Sequence, residues 1–271
     1  VPRLVHLQLH LLVLIFAATA VLGKLISLPA THLVVWRTLF ASLVTAVLVL
    51  LLGKARLVPS GRAILQLLGI GAVVGLHWLC FFGAIRLANI SICLAGMATI
   101  SFFTAFSEPL LEKRRVKPLE VILGVIVLLG ILLIAGFERG NLLGLGVALI
   151  GAFLASVFPV LNRRLVSAGR MDPMVMVAWE MAGACIICLL MLPVFSGWDG
   201  YAVLFEWQGL DWLWLFLLGL FCTVFAQAWH IHLLRHLRAY TANLAGNFEP
   251  VYGILAAALL FSEHRQLHPG F

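Results

Sequence analysis

Nine runs of about 20 apolar residues, parted by breaks of a few polar ones, leave this chain almost no choice of fold. They lie near 7–26, 32–52, 63–85, 90–111, 119–137, 141–162, 173–195, 209–234 and 240–261. A hydrocarbon core about 30 Å thick is crossed by about 20 helical residues, because a helix satisfies every backbone polar group within its own segment. Apolar residues make up 63% of the 271 and charged ones 11%, which is more apolar surface than a soluble globule of this size can hide. The expected fold is therefore all-α, a multi-pass transmembrane helical bundle in contact with the lipid bilayer. Its short connections make successive helices antiparallel neighbours; the stretch Ser196–Gln208, with Asp199 and Glu206 and no basic residue, is the exception.

A net charge of +7 would point to nucleic acid in a soluble protein. Here the basic residues sit in the breaks, so no nucleic-acid partner is expected. Thirteen Lys and Arg fall on the side of the N-terminus and four (Lys24, Arg86, Arg139, Arg265) on the other, which places the N-terminus in the cytoplasm of an inner-membrane protein. Arg3 and Ala18-Thr19-Ala20 resemble a signal peptide, but Thr19 and Lys24 have a loose counterpart in Ser156 and Asn162, so the first run reads as a mature helix. All five cysteines lie inside apolar runs, which argues against a disulfide framework.

A stretch of the chain recurs. Trp78–Glu120 and Trp229–Phe271 share a tryptophan, a glutamate (Glu112, Glu263), an arginine two residues later and a proline six later, all at an offset of 151, while the Leu-Ala-Gly triplets at Leu94 and Leu244 match with a slip of one. Glu112 and Glu263 follow the fourth and ninth runs and so face opposite sides of the membrane. Two units of opposite orientation follow, residues 1–137 with five helices and 138–271 with four, and internal duplication of this kind marks two-halved transporters. Five helices per unit suggest a tenth in the full protein, a genuine nine-helix variant being the alternative.

With the segment ending in Glu112 followed by Pro118, the glycine-rich helix GVIVLLGILLIAG from Gly124, and the run NFEPVYGILAAALLFSE from Asn247, the chain resembles the drug/metabolite transporter superfamily of the EamA type. That resemblance implies ten helices, cytoplasmic termini and a central cavity between two four-helix halves. Thr99 stands where Pro250 stands in the second repeat, a departure from strict symmetry.

Charged side chains in hydrocarbon are expensive and rarely face lipid, so each marks a candidate site. Arg37 sits about five residues into the second run, roughly 8 Å below the outer boundary, with His77 at similar height and Trp36 and Trp78 beside them. This outer tier could hold an anion and stack a flat group. Its structural alternative is an Arg37 that snorkels to the headgroups, with Trp36 in the aromatic belt. Glu180, Trp179, Trp229 and His230 form an inner tier, roughly 10 Å away along the membrane normal, so no direct Arg37–Glu180 ion pair is expected. A Glu180 held neutral in the bundle is the alternative there. Deepest is Glu249, before Pro250, with Asn243 and Asn247 close by: a helix break at mid-depth that fits a proton-coupling carboxylate and two substrate-binding amides, or a kink alone. Glu108, near the cytoplasmic end, is not selected. No spacing of histidines suits a metal, no glycine pattern suits a phosphate, and no cofactor is expected.

The expected function is export of a small amino-acid-like or amphiphilic metabolite by alternating access, possible coupling to protons included. The alternatives are a nucleotide-sugar or phosphorylated-metabolite exchanger, which needs more than one deep basic residue, and an intramembrane enzyme, for which no nucleophile–base pair stands out.

Overall fold

The computed structural model of the chain describes residues 3–54, 59–137, 139–167 and 171–265. Among these, all regular structure is helical, and the apolar runs become nine spans. Five are single helices on either side of the first break: α1 (Arg3–Leu25), α2 (Ala30–Leu51), α3 (Gly61–Leu87), α6 (Pro118–Phe137) and α7 (Leu142–Ser167). A further single helix is α8 (Pro173–Ser196). The short α9 (Gly200–Val203) follows it within the long connection. Three spans are composite. The fourth joins α4 (Ile90–Met97) to α5 (Ile100–Glu112), and the ninth joins α12 (Ala239–Gly246) to α13 (Glu249–Phe261). In the eighth, a π-helical segment, Leu220–Phe225, separates α10 (Asp211–Gly219) from α11 (Ala226–Leu233).

Local chemistry sets these ends. Asn89 accepts the Ile92 amide at 2.9 Å to start α4, and Asp172 accepts the Met174 amide at 2.9 Å to start α8 behind Pro173. Lys113 and Ser262, both left-handed with φ of 54° and 55°, stop α5 and α13. Leucines such as Leu51, Leu110 and Leu259 stand 77–83% exposed on the outside, the surface a bilayer would cover.

The interior is built on close helix contact. The most extensive packing joins α3 to α8 and α7, and α2 to α8. A Cβ on Gly71 would overlap the Glu180 carbonyl, and one on Gly183 the Leu68 carbonyl, so each helix offers a groove to the other's backbone.

The two broken spans lie antiparallel at the centre. Asn243 donates to Thr104 at 2.8 Å, Asn247 to Ser101 at 3.0 Å, and the Tyr240 amide to Glu108 at 3.1 Å, so numbers rise along one span as they fall along the other. Their elements match in length, 8 and 13 residues in each, at a constant offset of 149: Ile90 to Ala239, Glu112 to Phe261. The Asn243–Thr104 contact therefore has an image in Gly253, packed directly on Leu94. This corrects the offset of 151 in this region. Glu112 is not the equivalent of Glu263, and Pro250 matches Ser101 rather than Thr99. The fourth span also breaks without a proline: Thr99 Oγ1 donates to the Gly96 carbonyl at 2.7 Å, and tight i→i−3 backbone bonds close the turn, as they do at Asn247 and Phe248.

Candidate functional site: a central cavity at the paired breaks

A cavity of about 100 Å³, measured as space open to the centre of a water molecule, lies where the two breaks meet α1, α3, α7 and the eighth span. Leu9, Val13, Phe16 and Thr19 reach it from one face of α1, at the three- and four-residue spacing of a helix. Trp78, Phe81 and Phe158 line its aromatic side; Gln227 and His230 come from α11, and Asn243, Asn247, Glu249 and Pro250 from the ninth span.

Arg37 is buried, 1% exposed, and held from three directions. Its Nε donates to Thr223 Oγ1 at 2.6 Å, its Nη2 to the Cys222 carbonyl at 3.0 Å, and its Cζ lies 3.8 Å from the centre of the Trp78 ring. Both acceptors belong to the π segment, where the Thr223 hydroxyl in turn donates to the Leu218 carbonyl at 2.8 Å. The widened turn thus forms a socket for a guanidinium, and π turns recur at functional sites. Arg37 does not snorkel. It has no carboxylate within ion-pair distance among the described residues, and its Nη1 has no hydrogen-bond partner.

On the same cavity wall His230 Nδ1 also lacks a partner, while Thr19 Oγ1 and Gln227 Nε2 make no close hydrogen bond but face the Cys222 thiol and the Glu180 carboxyl. His77 is fixed through Nδ1, which lies 2.9 Å from the Gly151 carbonyl and so carries the proton, leaving Nε2 an acceptor. Glu249 makes no hydrogen bond or ion pair among the described residues. Asn243 and Asn247 each give one amide N–H to Thr104 and Ser101, which leaves the second N–H and the carbonyl oxygen of each without a protein partner among the described residues.

Of the residues singled out in the sequence, Arg37, His77, Trp78, His230, Asn243, Asn247 and Glu249 meet at this cavity. Four do not line it. Trp36 donates to the Leu204 carbonyl at 2.6 Å and packs edge-on against Phe205 and Trp207, in the aromatic belt of the α8–α10 connection. Trp179 and Trp229 are half-buried against the apolar core. Glu180 is fully buried between helices, accepting from Asn162 Nδ2 at 3.2 Å while its Oε1 stays unpartnered. It forms no ion pair with Arg37. Ser42 Oγ reaches the Ala178 carbonyl, which sets Arg37 five residues and Glu180 two residues from a common level, both toward the end where α2 begins and α8 finishes. At 1.5 Å per residue the two are offset by about 4.5 Å, not 10 Å.

Sequence reasoning missed Gln227 and the Thr223 socket. Gln227 stood three residues before His230, on the same helix face, inside an apolar run. Thr223 gave no such signal, since a π turn leaves no pattern in hydropathy. It also passed over Glu108, which is wholly buried and accepts from Arg114 at 2.9 Å and Arg238 at 3.3 Å.

A crystal structure of another protein superposes on 94% of this chain and 88% of its own with a TM-score of 0.68, at 19% identity, which shows the shared fold alone. No curated protein matches. The sequence does match the EamA-like transporter family twice, over residues 4–136 and again over 142–268. The chain is a multi-pass membrane protein that belongs to the EamA-like family, a transporter of the drug/metabolite type.

Proposed function

We propose that the chain exports a small zwitterionic or amphiphilic metabolite from the cytoplasm across the inner membrane, by alternating access and in exchange for protons. The two inverted units, 1–137 and 138–271, form the halves, and the N-terminus is cytoplasmic, as the distribution of basic residues requires. One observation carries the reading: two buried, unpartnered polar atoms, Arg37 Nη1 and His230 Nδ1, line the same small cavity as an unpaired carboxylate. An unmet buried donor costs about 1–3 kcal/mol, and a charged one more, so such a wall is built to be completed by something it binds.

Arg37 Nη1 suits a substrate carboxylate, and Glu249 suits an ammonium. The rings of Phe16, Trp78 and Phe158 suit an apolar body between them. The proton and the substrate's cation then compete for Glu249, so release of one makes room for the other. Asn243 and Asn247 offer acceptors beside it, and His77 one from across the aromatic wall. Glu180, Trp179, Trp229 and Trp36 support these groups from behind. Arg37 is the cavity's one lysine or arginine among the described residues, which disfavours a phosphorylated substrate needing several.

Comparison of metabolites released by cells with and without the full-length protein identifies the substrate. Proteoliposomes then test the site. Glu249→Gln is expected to abolish acceleration by an inward proton gradient, and Arg37→Ala to raise the half-saturating concentration at least tenfold. Undiminished, gradient-driven transport by both variants overturns the assignment.

A further inference from the structure

At the membrane end where α1 begins, acids neutralise three of the arginines. Arg114, Arg163 and Arg238 all pair with Glu108, Glu112 or Glu120. Arg62, the second residue of α3, and Arg164, in the last turn of α7, make neither an ion pair nor a hydrogen bond among the described residues. They share the rim of a cavity of about 460 Å³ with Ser60 and Gln66. Asp172, next to Met171 on that rim, is taken up by Lys54 at 2.8 Å and by the Met174 amide. Ser60 precedes α3 without capping it, so the first amides of a 27-residue helix add their partial positive charge.

Below the rim the character changes. A second cavity, about 360 Å³, shares Gln66, Arg164 and Leu165 and continues past Gly69, Ile70 and Leu161. Gly69 and Ile70 lie seven to eight residues beyond Arg62, roughly 11 Å deeper along the helix. A Cβ on Gly69 would meet nothing within 4 Å, so the missing side chain opens the slot. Two unneutralised guanidiniums at headgroup level, above an apolar slot running into the membrane between two helices, match the chemistry of a phosphate joined to an acyl chain.

We infer that α3 and α7 form a binding site for an anionic phospholipid, its phosphate held by Arg62 and Arg164 and one acyl chain laid along the slot past Gly69. The site is separate from the central cavity and stands whether or not the transport reading does.

The test titrates the purified full-length chain in detergent with fluorescent phosphatidylglycerol. Arg62→Gln/Arg164→Gln is expected to weaken binding about thirtyfold, since each basic side chain at a headgroup contributes about 1 kcal/mol. Gly69→Leu, which fills the slot without touching charge, weakens it too, phosphatidylcholine binds the native chain no better than phosphatidylglycerol binds the double variant, and millimolar inorganic phosphate fails to compete. Melting temperatures near that of the native chain show that the variants fold. Equal affinity of native and double-variant chains overturns the proposal, and so does displacement by inorganic phosphate with Gly69→Leu unchanged, which would make this a soluble-anion site.

Discussion

Gly71 and Gly183 are where single atoms decide the packing. Each lies against a backbone carbonyl of the opposite helix, Glu180 and Leu68, which cannot move aside as a side chain would. Gly71→Val is therefore expected to cost about 3 kcal/mol or more, seen as a fall in melting temperature of the purified protein. Gly130 is the internal control. Nothing lies within 4 Å of its added Cβ, so Gly130→Ala should hold the melting temperature or raise it, helix propensity favouring alanine by about 1 kcal/mol. At Arg37 the deciding atom is Thr223 Oγ1, which accepts the Nε proton. Thr223→Val keeps the shape and removes the acceptor, leaving a buried charged donor unmet at about 1.5–3 kcal/mol. Thr223→Ser should restore most of that, a recovery that a purely steric role for the threonine would not produce.

At the scale of elements, the central antiparallel pair is fastened by two amide–hydroxyl bonds that join α5 to α12 and to Asn247 just past its end, beside the breaks. Double-mutant cycles on Asn243→Ala with Thr104→Ala, and on Asn247→Ala with Ser101→Ala, should give coupling energies of about 0.6 kcal/mol, reaching at most about 1.7, the range found between membrane helices. Zero coupling in both cycles would mean that lipid-facing packing alone joins these spans. The spans themselves were legible in the sequence to within a few residues, because crossing hydrocarbon imposes a length that hydropathy displays directly. Pro250 likewise announced a break in the ninth span. The matching break at Ala98–Thr99 was hidden, since a threonine bonding back to Gly96 has no signature distinguishing it from a threonine in an unbroken helix. Glu112 and Glu263 misled for a related reason: similar loops drew the repeats into register two residues away from where the helices superpose. Seven of the eleven singled-out side chains reach one cavity because cost in lipid had already selected them. Glu180, selected on the same ground, is buried between helices instead, and Trp36, Trp179 and Trp229 failed to reach the cavity, since an indole is as much at home in an aromatic belt or a core.

For the whole molecule, the two ends are closed by different forces. Every ion pair among the described residues lies at the end where α1 begins, joining Lys54 to Asp172 and knitting Arg114, Arg163 and Arg238 to Glu108, Glu112 and Glu120 across α5, α6, α7 and the start of α12. Burial disfavours the Arg238 charge, but Glu108 and Glu120 outweigh it and lift the guanidinium above its usual range. A raised folded-state value means this contribution is complete below the ordinary arginine pKa and is lost only as pH climbs beyond it, so Arg238 should add no pH dependence between about pH 5 and 9. The opposite end has no ion pair among the described residues; it is tied by neutral hydrogen bonds, Trp36 to Leu204 and His32 to Gly200 at 2.9 Å, and by charged groups set on neutral partners, Arg86 on the Leu28 carbonyl at 3.0 Å, Asp211 on the Ser27 amide at 2.8 Å and Glu263 on the Ser91 amide at 3.1 Å. Salt distinguishes the two. Raising ionic strength from 0.1 to 1 M shortens the screening length from about 10 Å to about 3 Å and weakens the partly exposed ion pairs while sparing the neutral contacts. In the proposed cycle, salt and Glu108→Gln should then both favour opening toward the charged end. With the five native cysteines replaced and Ala242→Cys placed on the cavity wall, a membrane-impermeant thiol reagent applied from that side should react about tenfold faster in Glu108→Gln, a shift of about 1.4 kcal/mol in the equilibrium between states. Applied from the other side it should react more slowly. Unchanged rates from both sides would leave the charged cluster a structural fastening, and the barrier to the cavity would have to be sought among the neutral contacts instead.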